Sequence, residues 1–85
     1  MSYDIEFSDT ADAALRAMNK QAAKRIMSKL ESIRDNPFAH VKRLVGVPLF
    51  SLRVGDYRVI MDIKSNRMLI FVERVEHRSR IYDEL

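Results

Sequence analysis

The sequence predicts a two-layer α+β domain: an N-terminal strand, two helices, then an antiparallel meander sheet with both helices packed on one face. Three observations predict it. A period of two opens the chain in YDIEF, a helical period runs through residues 9–35, and a period of two returns after residue 49 and persists. Strands gathered mainly after the helices favour this arrangement over alternating βαβ units.

The elements follow in order. Tyr3, Ile5 and Phe7 alternate with Asp4 and Glu6, as in a half-buried strand. Ser8 or Asp9 can cap the next segment, SDTADAALRAMN, where Ala11, Ala14, Leu15 and Met18 take the i, i+3, i+4, i+7 spacing of a helix face. KQAAKRIMSKLESIRD repeats that spacing with Ala23, Ile26, Met27, Leu30 and Ile33, and Asn36-Pro37 is expected to stop the helix. The methionines on these faces read as core filler. Residues 36–49 hold both prolines and one of the two glycines, so they read as a loop with a short extended piece at Val41 to Val45. Strand patterns then occupy FSLRV, YRVIMDI and MLIFVERV, separated by the turns GD and KSNR.

Parity assigns the faces. A two-residue hairpin loop at Gly55-Asp56 sets Val54 against Tyr57, Arg53 against Arg58 and Leu52 against Val59. If Ser65-Asn66 closes the next hairpin, Ile63 opposes Met68 and Arg58 opposes Glu73. Phe50, Leu52, Val54, Tyr57, Val59, Met61, Ile63, Met68, Ile70 and Val72 then share one apolar face for the helices to cover. Ser51, Arg53, Arg58, Asp62 and Glu73 share the other with Ile60, Leu69 and Phe71.

The 85 residues suffice for one domain, 1–85, near the size at which a single core is just enough. There is no cysteine, which excludes disulfides, thiolate chemistry and Cys-based zinc sites and fits a reducing compartment. MSYDIEF carries acids and no long apolar run, so neither a signal peptide nor a membrane span is expected there, and the protein is expected in the cytoplasm. The formal charge is +3; residues 1–35 hold six acids and six bases, and residues 36–85 hold six acids and nine bases. Seven of those nine are arginines, whose planar fork suits phosphate.

Arginine placement therefore carries the functional reading. An Arg58–Glu73 ion pair would account for one of the opposed arginines as ordinary surface electrostatics. It leaves Arg53 unexplained, and EHRSRIYDEL adds Arg78, Arg80 and Tyr82 just beyond the last strand, with His77 beside them. Such a cluster suits a phosphodiester. His77 can transfer a proton near neutrality; His40 has no visible partner and reads as structural. Two histidines without an acidic cluster at ligand spacing argue against a metal site, and no cofactor is implied.

The ordered set NP after the second helix, RLVG in the loop, LRVGDYRVIMDI and the closing HRSRIY resembles the RelE toxins of the RelE/ParE superfamily over nearly the whole chain, most specifically over residues 50–82. The resemblance implies a helix-covered antiparallel sheet. It also implies a type II toxin acting as a ribosome-dependent, metal-independent endoribonuclease on messenger RNA in the ribosomal A site, neutralised by a RelB-like antitoxin. The arginine excess makes that antitoxin acidic, and it is expected to fold on binding. The family's catalytic positions match Arg53, Arg58, Arg78 and Tyr82, while Lys42, Arg43 and Arg80 are expected to bind RNA. Ser51 stands where the best-known members carry a second lysine, which leaves the general base open between Tyr82 and His77. Two other readings of the same fold are a ParE-like poison of DNA gyrase and a catalytically degenerate RNA-binding homologue.

Overall fold

The computed structural model describes residues 2–77. In chain order they form β1 (Asp4–Phe7), α1 (Asp9–Ala17), α2 (Lys20–Ser32), a 3-10 turn (Pro37–Ala39), β2 (Lys42–Arg43), β3 (Phe50–Val54), β4 (Tyr57–Lys64), a second 3-10 turn (Ser65–Arg67) and β5 (Leu69–His77). The strands make one five-stranded sheet in the order β1-β5-β4-β3-β2. Strands β2 to β5 are antiparallel neighbours, whereas β1 lies parallel to β5, so the sheet is mixed. The predicted two-layer α+β fold is the one observed. Among the described residues no helix is long and apolar enough to cross a membrane.

Each helix starts on a side-chain cap that satisfies an otherwise orphaned N–H. Ser8 Oγ accepts from the Ala11 N–H at 3.0 Å, and Asn19 Oδ1 accepts from the Gln21 N–H at 2.8 Å. The apolar stripes then meet the sheet: Ala11, Ile26, Leu30 and Ile33 are fully buried in one cluster with Leu52, Val59, Met61, Ile70 and Val72. This is the apolar face that parity assigned. Helix α2 ends at Ser32, well before Asn36-Pro37, and Pro37 instead opens the first 3-10 turn. The helix stops early because the chain is drawn to β1. The Tyr3 N–H donates to the Arg34 carbonyl at 2.9 Å, and Arg34 Nε donates to the Tyr3 carbonyl at 2.7 Å. Glu31 accepts from the same guanidinium and raises its pKa above the usual arginine value, so this tie keeps its charge at any working pH.

The two meander turns differ. Gly55 has φ +58° and Asp56 no positive φ, the pattern of a type II′ hairpin with glycine at the first central position. Val54↔Tyr57, Arg53↔Arg58 and Leu52↔Val59 are the observed pairs, as predicted. The second turn is longer than the expected Ser65-Asn66 loop: Met68 takes a left-handed φ of +51°, and pairing starts at Lys64↔Leu69. Ile63 therefore opposes Ile70 instead of Met68. A displacement of two preserves parity, so the faces survive the change.

They do not survive past residue 72. Met61 pairs with Val72 but Ile60 pairs with Arg74, so Glu73 is the extra residue of a β-bulge. Val75 turns toward the helices and is buried, while Arg58 comes to oppose Glu76 and not Glu73. Ser8 fastens this bulge, its Oγ donating to the Glu73 carbonyl at 2.5 Å while it caps α1. One hydroxyl thus joins helix α1 to the irregular point of β5. Ser8→Ala removes the cap and the tie together and should lower stability by about 1–2 kcal/mol in urea unfolding. Ser8→Thr, which keeps both bonds, should recover most of that loss.

Candidate functional site

The site begins at the Gly55 turn. In a two-residue hairpin the positions one step back from the flanking pair form a non-hydrogen-bonded pair, with Cα atoms about 4.5 Å apart and side chains close together. Arg53 and Arg58 occupy that pair, on the sheet face away from the helices. Opposed like charges in this position oppose folding, and among the described residues neither arginine has an ion-pair partner. The nearby carboxylates are engaged elsewhere: Glu76 holds Arg74 at 3.0 Å and Asp62 holds Lys64 at 3.1 Å.

Next to the pair lies a cleft of about 370 Å³. Its charged or proton-exchanging lining is Lys29, His40, Lys42, Arg53 and Arg58, with Ser51, Leu52 and Tyr57 completing it and no carboxylate contributing. Arg58 is half-buried at its base, and Arg53 is exposed at its rim. The loop supplies His40 and Lys42 by a definite route: Phe38 packs edge-to-face on Phe50 with ring centroids 5.5 Å apart, and Val41 packs against the core. Strand alternation then places Lys42 directly opposite Ser51, on the arginine face. A cationic concavity without acids stabilises an anion, and two guanidinium forks in a close pair can grip the oxygens of one phosphate.

The predicted site residues divide as follows. Arg53, Arg58 and Lys42 come together in the cleft. Arg43 opposes Phe50, so alternation sends it to the helix side of the edge strand. His77 was expected at the edge of the cluster formed by Arg78, Arg80 and Tyr82. The Glu73 bulge advances parity by one, so His77 opposes Tyr57 on the helix side, with the two rings edge-to-face at 5.1 Å. Arg78, Arg80 and Tyr82 lie outside the described residues. Of the other lining groups, Lys29 was not singled out in the sequence, and His40 was read there as structural. Lys29 sits one position before the buried Leu30, and His40 belongs to an aperiodic loop, so hydrophobic pattern marks neither. Among the described residues no three His, Cys, Asp or Glu gather as metal ligands.

A family model described as the ParE toxin of type II toxin–antitoxin system, parDE, matches residues 5–82. The chain belongs to the ParE toxin family. It is accordingly a toxin of a type II toxin–antitoxin system within the RelE/ParE superfamily. The toxin's fold is also that of solved complexes. The RelBE2 toxin–antitoxin complex of Mycobacterium tuberculosis superposes with a TM-score of 0.82 at 23% identity, covering 92% of this chain and 100% of that one. The archaeal RelE-RelB complex of Pyrococcus horikoshii gives 0.80 at 24% identity, covering 94% and 99%. The RelB-RelE antitoxin-toxin complex of Methanococcus jannaschii gives 0.73 at 26% identity, covering 94% and 98%. No curated protein sequence matches the toxin. The family model thus carries the ParE name and the solved structures the RelE name.

If the Arg53–Arg58 juxtaposition is retained for binding and not for stability, Arg53→Gln should stabilise the fold. The expected gain is about 0.2–1 kcal/mol in low-salt urea melts, falling toward zero near 1 M salt.

Proposed function

We propose that the toxin is a ribosome-dependent endoribonuclease that cuts messenger RNA in the ribosomal A site by attack of a ribose 2′-hydroxyl on the adjacent phosphate, acting in the cytoplasm. The observation that carries this reading is the close, unpaired Arg53–Arg58 pair in a cleft lined by cations and free of carboxylates. In the reaction a base takes the 2′-hydroxyl proton, the 2′-oxygen bonds to phosphorus, and the bond to the 5′-oxygen breaks as that oxygen gains a proton. The products are a 2′,3′-cyclic phosphate and a 5′-hydroxyl. Arginines stay protonated, so Arg53 and Arg58 serve as stabilisers of the crowded phosphate's negative charge, each contributing about 2–4 kcal/mol at the transition state by analogy with oxyanion donors. Arg78 is assigned to phosphate or to the leaving oxygen, and Arg80 to the RNA backbone, on the resemblance alone.

Two observations refine the earlier assignment. Lys42 lies directly across the ladder from Ser51, which supports a role for it next to the position where the resemblance expects a lysine. His40, in the cleft lining, joins Tyr82 as a candidate for proton transfer, whereas His77 packs on Tyr57 and is not itself in the lining. Cleavage should survive EDTA once ribosome integrity is controlled for, leave a cyclic phosphate, and fall at least about tenfold in Arg58→Ala. His40→Ala and Tyr82→Phe should each cost more than His77→Ala. Full activity in Arg58→Ala refutes the assignment.

The match to the ParE model supports a second reading, a gyrase poison on the same fold. Mapping messenger RNA 5′ ends after induced expression separates the two: cuts within translated codons favour the nuclease, and DNA damage with intact messages favours the poison. Neither effect points to a degenerate homologue.

The proposed partner is an acidic antitoxin segment that folds onto the basic surface. Its on-rate, measured by stopped flow, should fall as salt rises, because opposite charges steer encounter and are screened beyond about 8 Å at physiological ionic strength.

A further inference from the structure

Strand β2 covers only the first part of β3, pairing Lys42 with Ser51 and Arg43 with Phe50. Beyond it, from Leu52 to Val54, no described strand occupies the outer edge of β3. Helix α2 passes over that open edge, and a groove of about 650 Å³ runs between them. Helical spacing supplies one wall in two rows, Lys24–Ser28–Ser32 and Arg25–Lys29, each with members four residues apart. Arg53 stands on the opposite wall. Every charged residue of the lining is a cation, and none of the four forms an ion pair among the described residues. The α2 carboxylate Glu31 is taken up by Arg34 at 2.8 Å.

The groove is continuous with the cleft, since Lys29 and Arg53 line both. A basic track therefore starts at Arg58, rounds the β3 edge at Arg53 and Lys29, and continues along α2 to Arg25 and Lys24. We infer that this groove holds the phosphate backbone of the same single-stranded RNA whose scissile phosphate occupies the cleft, a few nucleotides away. The inference rests on the nuclease reading above and extends it from one phosphate to a strand path.

The lining chooses between RNA and a protein segment. An amphipathic helix or hydrophobic peptide anchors through apolar pockets, and here Val54 is the sole large apolar residue, itself buried. Phosphodiesters need cations and hydroxyl or guanidinium donors, which are the groups present. Among the described residues no aromatic ring lines the groove, so these residues offer no platform for stacking bases. The groove thus holds backbone without reading sequence.

The test measures binding, not cleavage. Fluorescence anisotropy compares uncleavable 2′-O-methyl RNA of three nucleotides, confined to the cleft, with RNA of nine nucleotides, long enough to enter the groove. Lys24→Gln/Arg25→Gln should weaken the nine-mer at least about tenfold at 50 mM salt and reduce the slope of log K against log salt by about 1.4, two contacts at about 0.7 each for single strands. Trinucleotide affinity should not change. Because the Arg25 guanidinium lies over the Gly55 turn, Lys24→Gln alone is measured too, and it should give about half the loss of slope.

An unchanged nine-mer affinity, or equal weakening of both lengths, overturns the inference while leaving the nuclease reading intact. If the wild-type toxin binds neither RNA, this inference fails, while the nuclease reading, which requires the ribosome, stands or falls on the mapped messenger RNA ends. If the double variant loses affinity for its antitoxin and none for RNA, the groove belongs to a protein partner and the inference is wrong.

Discussion

Two turn residues hold the arrangement in place. In an antiparallel ladder a one-residue slip sends every side chain to the opposite face, and the Gly55-Asp56 loop leaves no room for one. Glycine at φ +58° closes the chain within two residues, so Val54 must oppose Tyr57 and the register follows outward from that pair. The burial of Leu52, Val59 and Met61 under the helices and the outward pairing of Arg53 with Arg58 are therefore a single fact. Helix packing makes the fact energetic, because slipping the register would expose most of the central core. The arginines remain adjacent despite their repulsion because the core on the other face outweighs it. Core side chains contribute on the order of 1.5–3 kcal/mol each when fully buried, against about 0.2–1 kcal/mol for a like-charged cross-strand pair.

A second constraint limits the reach of the first. The bulge at Glu73 breaks the ladder's parity and divides β5 into two parts. Before it, Ile70 and Val72 face the helices; after it, Val75 does so and His77 with it. Without the bulge Arg74 would point into the apolar layer and His77 would stand beside the arginines. Ser8 makes the irregularity a joint, since its hydroxyl links the displaced Glu73 carbonyl to the first turn of α1. The face that handles charge is thus shaped in part by a helix cap on the other side of the sheet.

These two constraints also explain what could be read from the sequence. The period of two in β3 and β4, with a glycine at the only two-residue gap between them, fixed the first hairpin, the apolar face and the Arg53–Arg58 pair. The register first departed from expectation at the 65–67 turn, by two residues that left the faces intact, and the faces were lost only where the period fails. In LIFVERVEH the apolar positions Ile70, Val72 and Val75 are separated by two and then three residues, which is the mark of an inserted residue, but reading the run as uniform alternation hid it. Arg58 was matched with Glu73, three residues short of its partner Glu76, two of them owed to the longer turn and one to the bulge. The placement of Lys29 and His40 beside Lys42 was less accessible still. They meet through the crossing of α2 over β3 and the docking of Phe38 on Phe50, contacts between segments with no periodic relation.

The same electrostatics bears on why a toxin of this kind is kept with an acidic partner. Lys29, Lys42, Arg53 and Arg58 line one cleft to which no carboxylate among the described residues contributes, so these cations repel one another at the place where, on the proposed reading, the protein acts. Proximity of the cations raises the affinity for any anion, because each added cation strengthens the attraction while the repulsion among them is already present before binding. On that reading RNA would relieve the repulsion during turnover, and the proposed acidic antitoxin would relieve it at rest. A ligand that binds only the folded state adds stability as RT ln(1 + [L]/Kd), about 2.7 kcal/mol at a hundredfold excess over Kd. For a domain of this size that is a substantial part of the margin against unfolding. Neutralising the toxin and preserving its fold would then be one event, with the charge that threatens stability also supplying the affinity for the partner that restores it.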